Sequence, residues 1–306
     1  MVSFHADDFA LAVSSSSDML ELCRQGKVDA ISVIPNISCF DECMQLYAAA
    51  CPSFPRAVTL SVHLNVMEGR PVSSPETLRD LVDAQGLFKV SWLSLLRDSF
   101  LPWKRGRIRR ELAAELAAQI RRCLATGLFD RTAVSLDSHQ HPHHIPVFFD
   151  ALMDAVTELE KDGCTVACIR CSEDPLLPYL TTPAIYAKIQ PANVIKCIML
   201  NLLAAKVKRG LAKRGIAPTY LSGVFFSGAM TEGNLRPVLP KLIALAERKQ
   251  RPLELLFHPG QVPQEEIASR DEYQKPGFVE ASTSPDRAEE CRSLAVLKDE
   301  FGEKRD

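Results

Sequence analysis

The chain has 306 residues, and 36 Lys and Arg against 38 Asp and Glu leave a formal charge of −2, too balanced for a sequence-blind phosphate binder, so no nucleic-acid partner is expected. Hydrophobic residues make up 46% and charged residues 24%, which excludes a disordered or collagen-like chain and allows a sizeable core. Ten cysteines are scattered mostly among apolar or helical neighbours, so a reducing cytoplasm is expected in place of a disulfide framework.

In chain order, the start MVSFHADDF lacks the basic and apolar regions of an export signal, and no run reaches 18 uncharged apolar residues, so neither export nor a membrane partner is expected. Strands are predicted at 2–6, 28–34, 57–66, 132–137, 164–171, 220–227 and 252–257 from short apolar or alternating runs. Helices are predicted between them, at 18–25, 41–50, 146–161, 194–213, 235–249 and 286–299. The clearest is RRELAAELAAQIRRCLATG, in which Leu112, Leu116, Ile120 and Leu124 recur every four residues and Gly127 supplies a stop. This rhythm predicts one domain over 1–306, a mostly parallel sheet covered by helices, closed as a barrel or open and doubly wound. Active sites of both forms gather at the C-terminal strand ends. Two insertions, 71–106 and 172–219, disturb the regularity.

Five of the seven histidines fall at or near strand ends. In AVTLSVHLNV, alternation places Val58, Leu60, Val62 and Leu64 on one face and Thr59, Ser61, His63 and Asn65 on the other. TAVSLDSHQHPHHIP puts Asp137 and His139 on one face of a strand end, with His141, His143 and His144 in the turn that follows. Such a cluster repels itself if charged, so a metal or a hydrogen-bonded network is expected to hold the rings neutral. Asp7 and Asp8 follow a short apolar strand, and RPLELLFHPG ends in His258. Asp and His donors converging from separate strand ends form an N/O metal site with open positions, the arrangement of a hydrolytic centre.

Four segments, HADDFA, SVHLNVMEGRP, DSHQHPHHIP and FHPG, resemble in order the motifs of the YdjC-like carbohydrate deacetylases, the family of chitooligosaccharide deacetylase. The resemblance covers about residues 4–297. It implies a distorted TIM-type (β/α) barrel with parallel strands and outer helices, and a divalent metal, zinc or magnesium, in an enzyme that removes the N-acetyl group from an amino sugar or oligosaccharide. Asp8, His63 and His139 are then the metal ligands, Asp7 the general base and His258 the proton donor. Arg170, His141 and Glu68 are the expected substrate contacts, with Arg170 also suited to orienting a carboxylate. The chain departs from the family at Ala10, where the motif carries Gly. Gly permits positive φ or close backbone approach, so an altered local backbone or altered activity is expected there.

Cys164, Cys168 and Cys171 have the C-x3-C-x2-C spacing of an iron–sulfur ligand set. Strand alternation turns Cys171 away from the other two, and the cluster is rejected. The basic run Lys104, Arg105, Arg107, Arg109, Arg110 is expected on a solvated helix start. Another metallohydrolase such as a phosphoesterase, or a non-catalytic sugar-binding relative, remains an alternative. The sequence leaves open the sugar, the metal and the oligomeric state, a homodimer included.

Overall fold

The computed structural model describes residues 2–268, 270, 272, 273 and 275–302. Seven strands form one sheet: β1 (Val2–Phe9), β2 (Ala30–Val33), β3 (Thr59–Leu64), β4 (Val134–Ser138), β5 (Val166–Ile169), β6 (Tyr220–Ser222) and β7 (Leu253–Phe257). Their order is β5-β4-β3-β2-β1-β7-β6, and every neighbouring pair is parallel. The sheet curls into a distorted half-barrel whose convex face is covered by helices, as the β-then-α rhythm predicts. Each predicted strand overlaps an observed one.

The helices are α1 (Val13–Arg24), α2 (Phe40–Ala50), α3 (Trp92–Asp98), α4 (Pro102–Ala125), α5 (Pro146–Lys161), α6 (Leu176–Leu180), α7 (Pro191–Lys213), α8 (Glu232–Leu235), α9 (Leu239–Arg248), α10 (Gln264–Ala268), α11 (Pro276–Thr283) and α12 (Asp286–Phe301). In α4 the four-residue repeat Leu112, Leu116, Ile120, Leu124 is buried against the sheet. Its basic start is exposed, with Arg105, Arg107 and Arg109 paired to Asp150, Asp80 and Asp154. Such surface pairs contribute little.

Three differences from the sequence reading have local causes. Helix α1 begins at Val13 instead of residue 18 because the Glu266 carboxylate, distant in sequence, accepts the Val13 N–H at 2.6 Å and the Ser14 N–H at 3.4 Å. That remote cap offsets the poor helix propensity of the serine run. Strand β6 stops at Ser222 instead of 227 because Asp174 Oδ2 accepts the N–H groups of Gly223, Val224 and Phe225 at 3.0–3.3 Å. Helix α3 was not foreseen; it is short and rests on a capping box between Ser91 and Ser94.

Within the barrel the alternation of β3 holds. Val62 and Leu64 belong to the apolar core, while Ser61 and His63 are buried in a polar interior, 2% exposed each. That distinguishes β3 from a solvent-facing antiparallel strand. All ten cysteines are free thiols, and among the described residues no helix is long and apolar enough to cross a membrane.

Candidate metal centre

The end of β1 delivers two adjacent carboxylates to one site. In a regular strand Asp7 and Asp8 would point to opposite faces. The register between β1 and β2 shifts between Ala6 and Phe9, and Asp8 has φ +70°. This bulge breaks the alternation, so both carboxylates line the same cavity.

Ala10, two residues on, has φ +68° and is fully buried. Its N–H donates to Ser16 Oγ at 3.0 Å and its carbonyl accepts from Cys39 Sγ at 3.0 Å. The backbone thus keeps the left-handed form that suits glycine, and the methyl group is accommodated at a cost of about 1–2 kcal/mol. Ala10→Gly should therefore raise stability by roughly 1 kcal/mol, the strain relief less the added chain entropy. Urea denaturation tests it, and a destabilised variant would show that the methyl's packing outweighs its strain.

The side chains meet as follows. His63 and Asp137 are direct register partners on β3 and β4, and His63 Nδ1 lies 2.5 Å from Asp137 Oδ1. This leaves His63 Nε2 facing Asp8 Oδ1 at 3.5 Å. His139, just beyond β4, places Nδ1 3.0 Å from the same oxygen, while its buried Nε2 has no hydrogen-bond partner. Asp8, His63 and His139 thus offer three ligand atoms within 4.8 Å of one another. The carboxylate behind His63 is the support commonly found for a ligating imidazole.

Charge points the same way. Asp7, Asp8, Asp137 and Glu254 are buried with only two guanidiniums, Arg170 and Arg287, against them. With neutral imidazoles the cluster has two negative charges in excess, the complement of a divalent cation. Burial pushes the His63 imidazole down, yet Asp7 and Asp137 outweigh it and carry its pKa to about 10. His5, Asp7 and Asp137 form a second close group, but Arg170 already holds it. Arg170 bonds Asp7 at 2.6 and 2.8 Å and approaches Glu254 at 2.5 Å and Asp137 at 3.2 Å.

The expected residues divide into those at the cavity and those behind it. A cavity of about 490 Å³ at the C-terminal strand ends is lined by Asp7, Asp8, His63, His139, His141 and His258. His258 follows β7, its N–H bonded to Glu290 at 2.6 Å. Arg170 does not line it. At 2% exposure it lies beneath Asp7 and holds that carboxylate with two nitrogens, set back from the cavity where a substrate contact was expected. Its sequence neighbour Glu173 pairs elsewhere, with Lys208 and Arg251. Glu68 is likewise set behind the rim, 3% exposed, reaching Gln140 at 3.4 Å and Lys275 at 3.8 Å. Burial raises its pKa to about 7.

His143 and His144 are fully buried in a hydrogen-bonded network. His143 Nδ1 lies 2.5 Å from Ser138 Oγ, and His144 Nε2 accepts the Ser172 N–H at 2.9 Å while Nδ1 faces the Leu200 carbonyl at 3.2 Å. Burial lowers the pKa values of His141 and His143, and brings that of His144 to about 4. Because the unfolded chain binds protons more readily here, stability should fall as pH drops from about 6.5 to about 4, by on the order of 3 kcal/mol for His144 alone. Denaturation midpoints across that window test this; a flat profile would contradict it.

Several contributors carry no local sequence signal. Arg287 on α12 donates to Asp8 Oδ2 at 3.2–3.3 Å and to the Gly260 carbonyl at 3.1 Å, tying the HPG turn to Asp8. Gly260 has φ +92°, and a Cβ there would meet Ser15 at 2.8 Å, so the turn requires glycine. Phe278 on α11 packs its ring edge-on to His139 at 5.5 Å. Lys196 on α7 lines the opposite wall and pairs with no carboxylate among the described residues.

The chain belongs to the YdjC-like protein family, which it matches over residues 1–301. It is similar to a carbohydrate deacetylase of Thermoanaerobacter pseudethanolicus, 26% identical over 150 residues. That match takes in 49% of this chain and 54% of the relative, so the chain spans about half the length of the curated relative it matches. Among solved structures it resembles a protein from Enterococcus faecalis V583 described as a candidate for cellobiose-phosphate cleavage, with TM-score 0.59 and 17% identity over 96% of this chain and 94% of that one. At that identity the likeness concerns the fold.

Proposed function

We propose that this protein is a metal-dependent deacetylase that removes the N-acetyl group from an amino sugar and releases acetate. The observation that carries this reading is the convergence of Asp8, His63 and His139 on one point, beside the fixed carboxylate of Asp7, in an open cavity. The name of the Thermoanaerobacter relative supports the substrate class. Should the sugar carry an anionic group, Lys196 on the cavity wall, which pairs with no carboxylate among the described residues, is placed to meet it.

A divalent cation held by these three residues would polarise the acetyl carbonyl and lower the pKa of water to about 7. Two imidazoles and one carboxylate suit zinc or a similar transition metal better than magnesium, which favours oxygen donors. Asp7 accepts the proton of the attacking water. Arg170 holds its two oxygens in place and holds its pKa well below the usual carboxylate range, against the opposing effect of burial. That pairing keeps the base ionised and oriented at the cost of basicity, so water must already be acidified for the transfer to proceed. His258, on the cavity wall, protonates the departing amine. A non-catalytic role gains nothing from Ala10, because the left-handed backbone that presents Asp8 is intact.

Asp8→Ala, His63→Ala and His139→Ala should each lose bound metal, since two side chains hold a cation poorly. Elemental analysis of the purified variants reads this directly. Stoichiometric metal in His63→Ala would remove that residue from the ligand set.

A further inference from the structure

A second cavity, of about 870 Å³, lies at the N-terminal strand ends, opposite the candidate metal centre. A packed barrel fills its interior with bulky branched side chains. Here the residues that line this end on successive strands are small: Ser3 on β1, Ala30 on β2, Ser61 on β3 and Ser135 on β4. Ser61 and Ser135 are direct register partners, and the mouth opens to solvent at Pro55, Ala57 and Thr59. The polar groups on the wall divide into two kinds. The charged ones are matched within the chain: Arg170 by Asp7, Asp137 and Glu254, His5 by Glu254, and Arg56 and Lys298 by Asp29. The hydroxyls are not. Among the described residues the side chains of Ser3, Thr59, Ser61, Ser135 and Thr219 form no hydrogen bond, and Arg170 Nε, on a side chain 2% exposed, has no acceptor.

We propose that this rear cavity is a second binding site, for an uncharged polyhydroxylated molecule of sugar size. Its volume falls in the range of small-molecule sites, about 300–1,000 Å³. Three cations and three carboxylates line it, Arg56, Arg170 and Lys298 with Asp29, Asp137 and Glu254, so the wall favours neither an anion nor a cation. An apolar ligand would bury the hydroxyls unbonded, which is costly. A neutral sugar instead exchanges hydrogen bonds with Ser61, Ser135 and Thr219, gives an oxygen to Arg170 Nε, and rests its apolar ring face on Leu136 and Leu253. One layer of ionic pairs separates the two cavities. Arg170 on the rear wall holds Asp7 on the front wall at 2.6 and 2.8 Å, and Asp137 on the rear wall meets His63 on the front wall at 2.5 Å. Occupancy at the rear thus reaches Asp7 through a single guanidinium, a coupling to turnover that rests on the role proposed above for Asp7.

Saturation-transfer NMR titration of the full chain with glucose and maltose, neither of which carries an acetyl group to release, tests the site without calling on activity. Wild type should bind at least one of them. Ser135→Leu, which fills the rear cavity, should weaken binding at least tenfold, and Thr219→Val, which removes a hydroxyl at nearly constant volume, should weaken it in the same direction. His139→Ala, at the front cavity, should leave it unchanged. If circular dichroism shows Ser135→Leu misfolded, Ser3→Leu replaces it. No binding of either sugar to wild type at high millimolar concentration would overturn the proposal. So would binding that survives in a folded Ser135→Leu, or binding lost in His139→Ala, which would place the sugar at the front. Acetate bound with the same dependence on Ser135 would overturn the uncharged class. In metal-loaded protein, saturating sugar should change kcat for acetate release at least twofold in wild type and not in Ser135→Leu; a bound sugar that leaves kcat unchanged would overturn the link to Asp7.

Discussion

Arg170→Met should cost roughly 3–5 kcal/mol of folding stability, the range for removing one partner from a buried ionic network. The guanidinium is 2% exposed and touches Asp7 with two nitrogens, then Glu254, Asp137 and Ser32. Methionine fills much of the same volume, so cavity formation is a minor part of the loss. What remains is three buried carboxylates without their countercharge, and these must take up protons or draw in water. Urea denaturation at pH 7 measures the cost, and a loss below about 1 kcal/mol would mean that solvent already screens the cluster. Arg170→Lys, which keeps the charge and loses the planar fork, should fall between the two.

Asp7→Asn should slow turnover by roughly 10²–10⁴, the range for a positioned general base, while metal content and KM stay near wild type. The amide cannot accept the proton, and its NH₂ faces a guanidinium that also only donates. The stability loss should nevertheless be smaller than for Arg170→Met, because Arg170 keeps Glu254 and Asp137 as partners. The two variants thus separate chemistry from scaffold. Wild-type turnover in Asp7→Asn would exclude Asp7 as the base, and lost metal would place it among the ligands.

Much of this architecture is written in short-range pattern. The alternation of β3 foretells that Ser61 and His63 share one face, and the repeat in α4 foretells its buried stripe, because both depend on periods within one element. Histidines at the ends of β3, β4 and β7 are brought to one mouth by a parallel sheet, which puts all C-terminal strand ends on one side. What the pattern cannot carry is pairing across long separations. The Arg287–Asp8 contact spans 279 residues and the Arg170–Asp7 contact 163, and neither arginine differs locally from a surface one. Glu254 carries no local signal before the barrel closes around it, and Arg170, expected to contact substrate, takes its place under Asp7 only in the folded sheet. Ala10 shows the reverse case: a motif departure suggests a changed backbone, yet its neighbours Ser16 and Cys39 hold the left-handed turn regardless.

A cation held by Asp8, His63 and His139 should support release of acetate from an N-acetylated sugar. This is tested most directly by acetate release across N-acetylated mono- and disaccharides, using protein stripped with chelator and then reloaded with zinc, manganese, cobalt, nickel or magnesium. Stripped wild type should release no acetate and recover with at least one transition metal, and His63→Ala should recover at none of the metals tested. Full acetate release from the stripped protein, or equal recovery in wild type and His63→Ala, would contradict it.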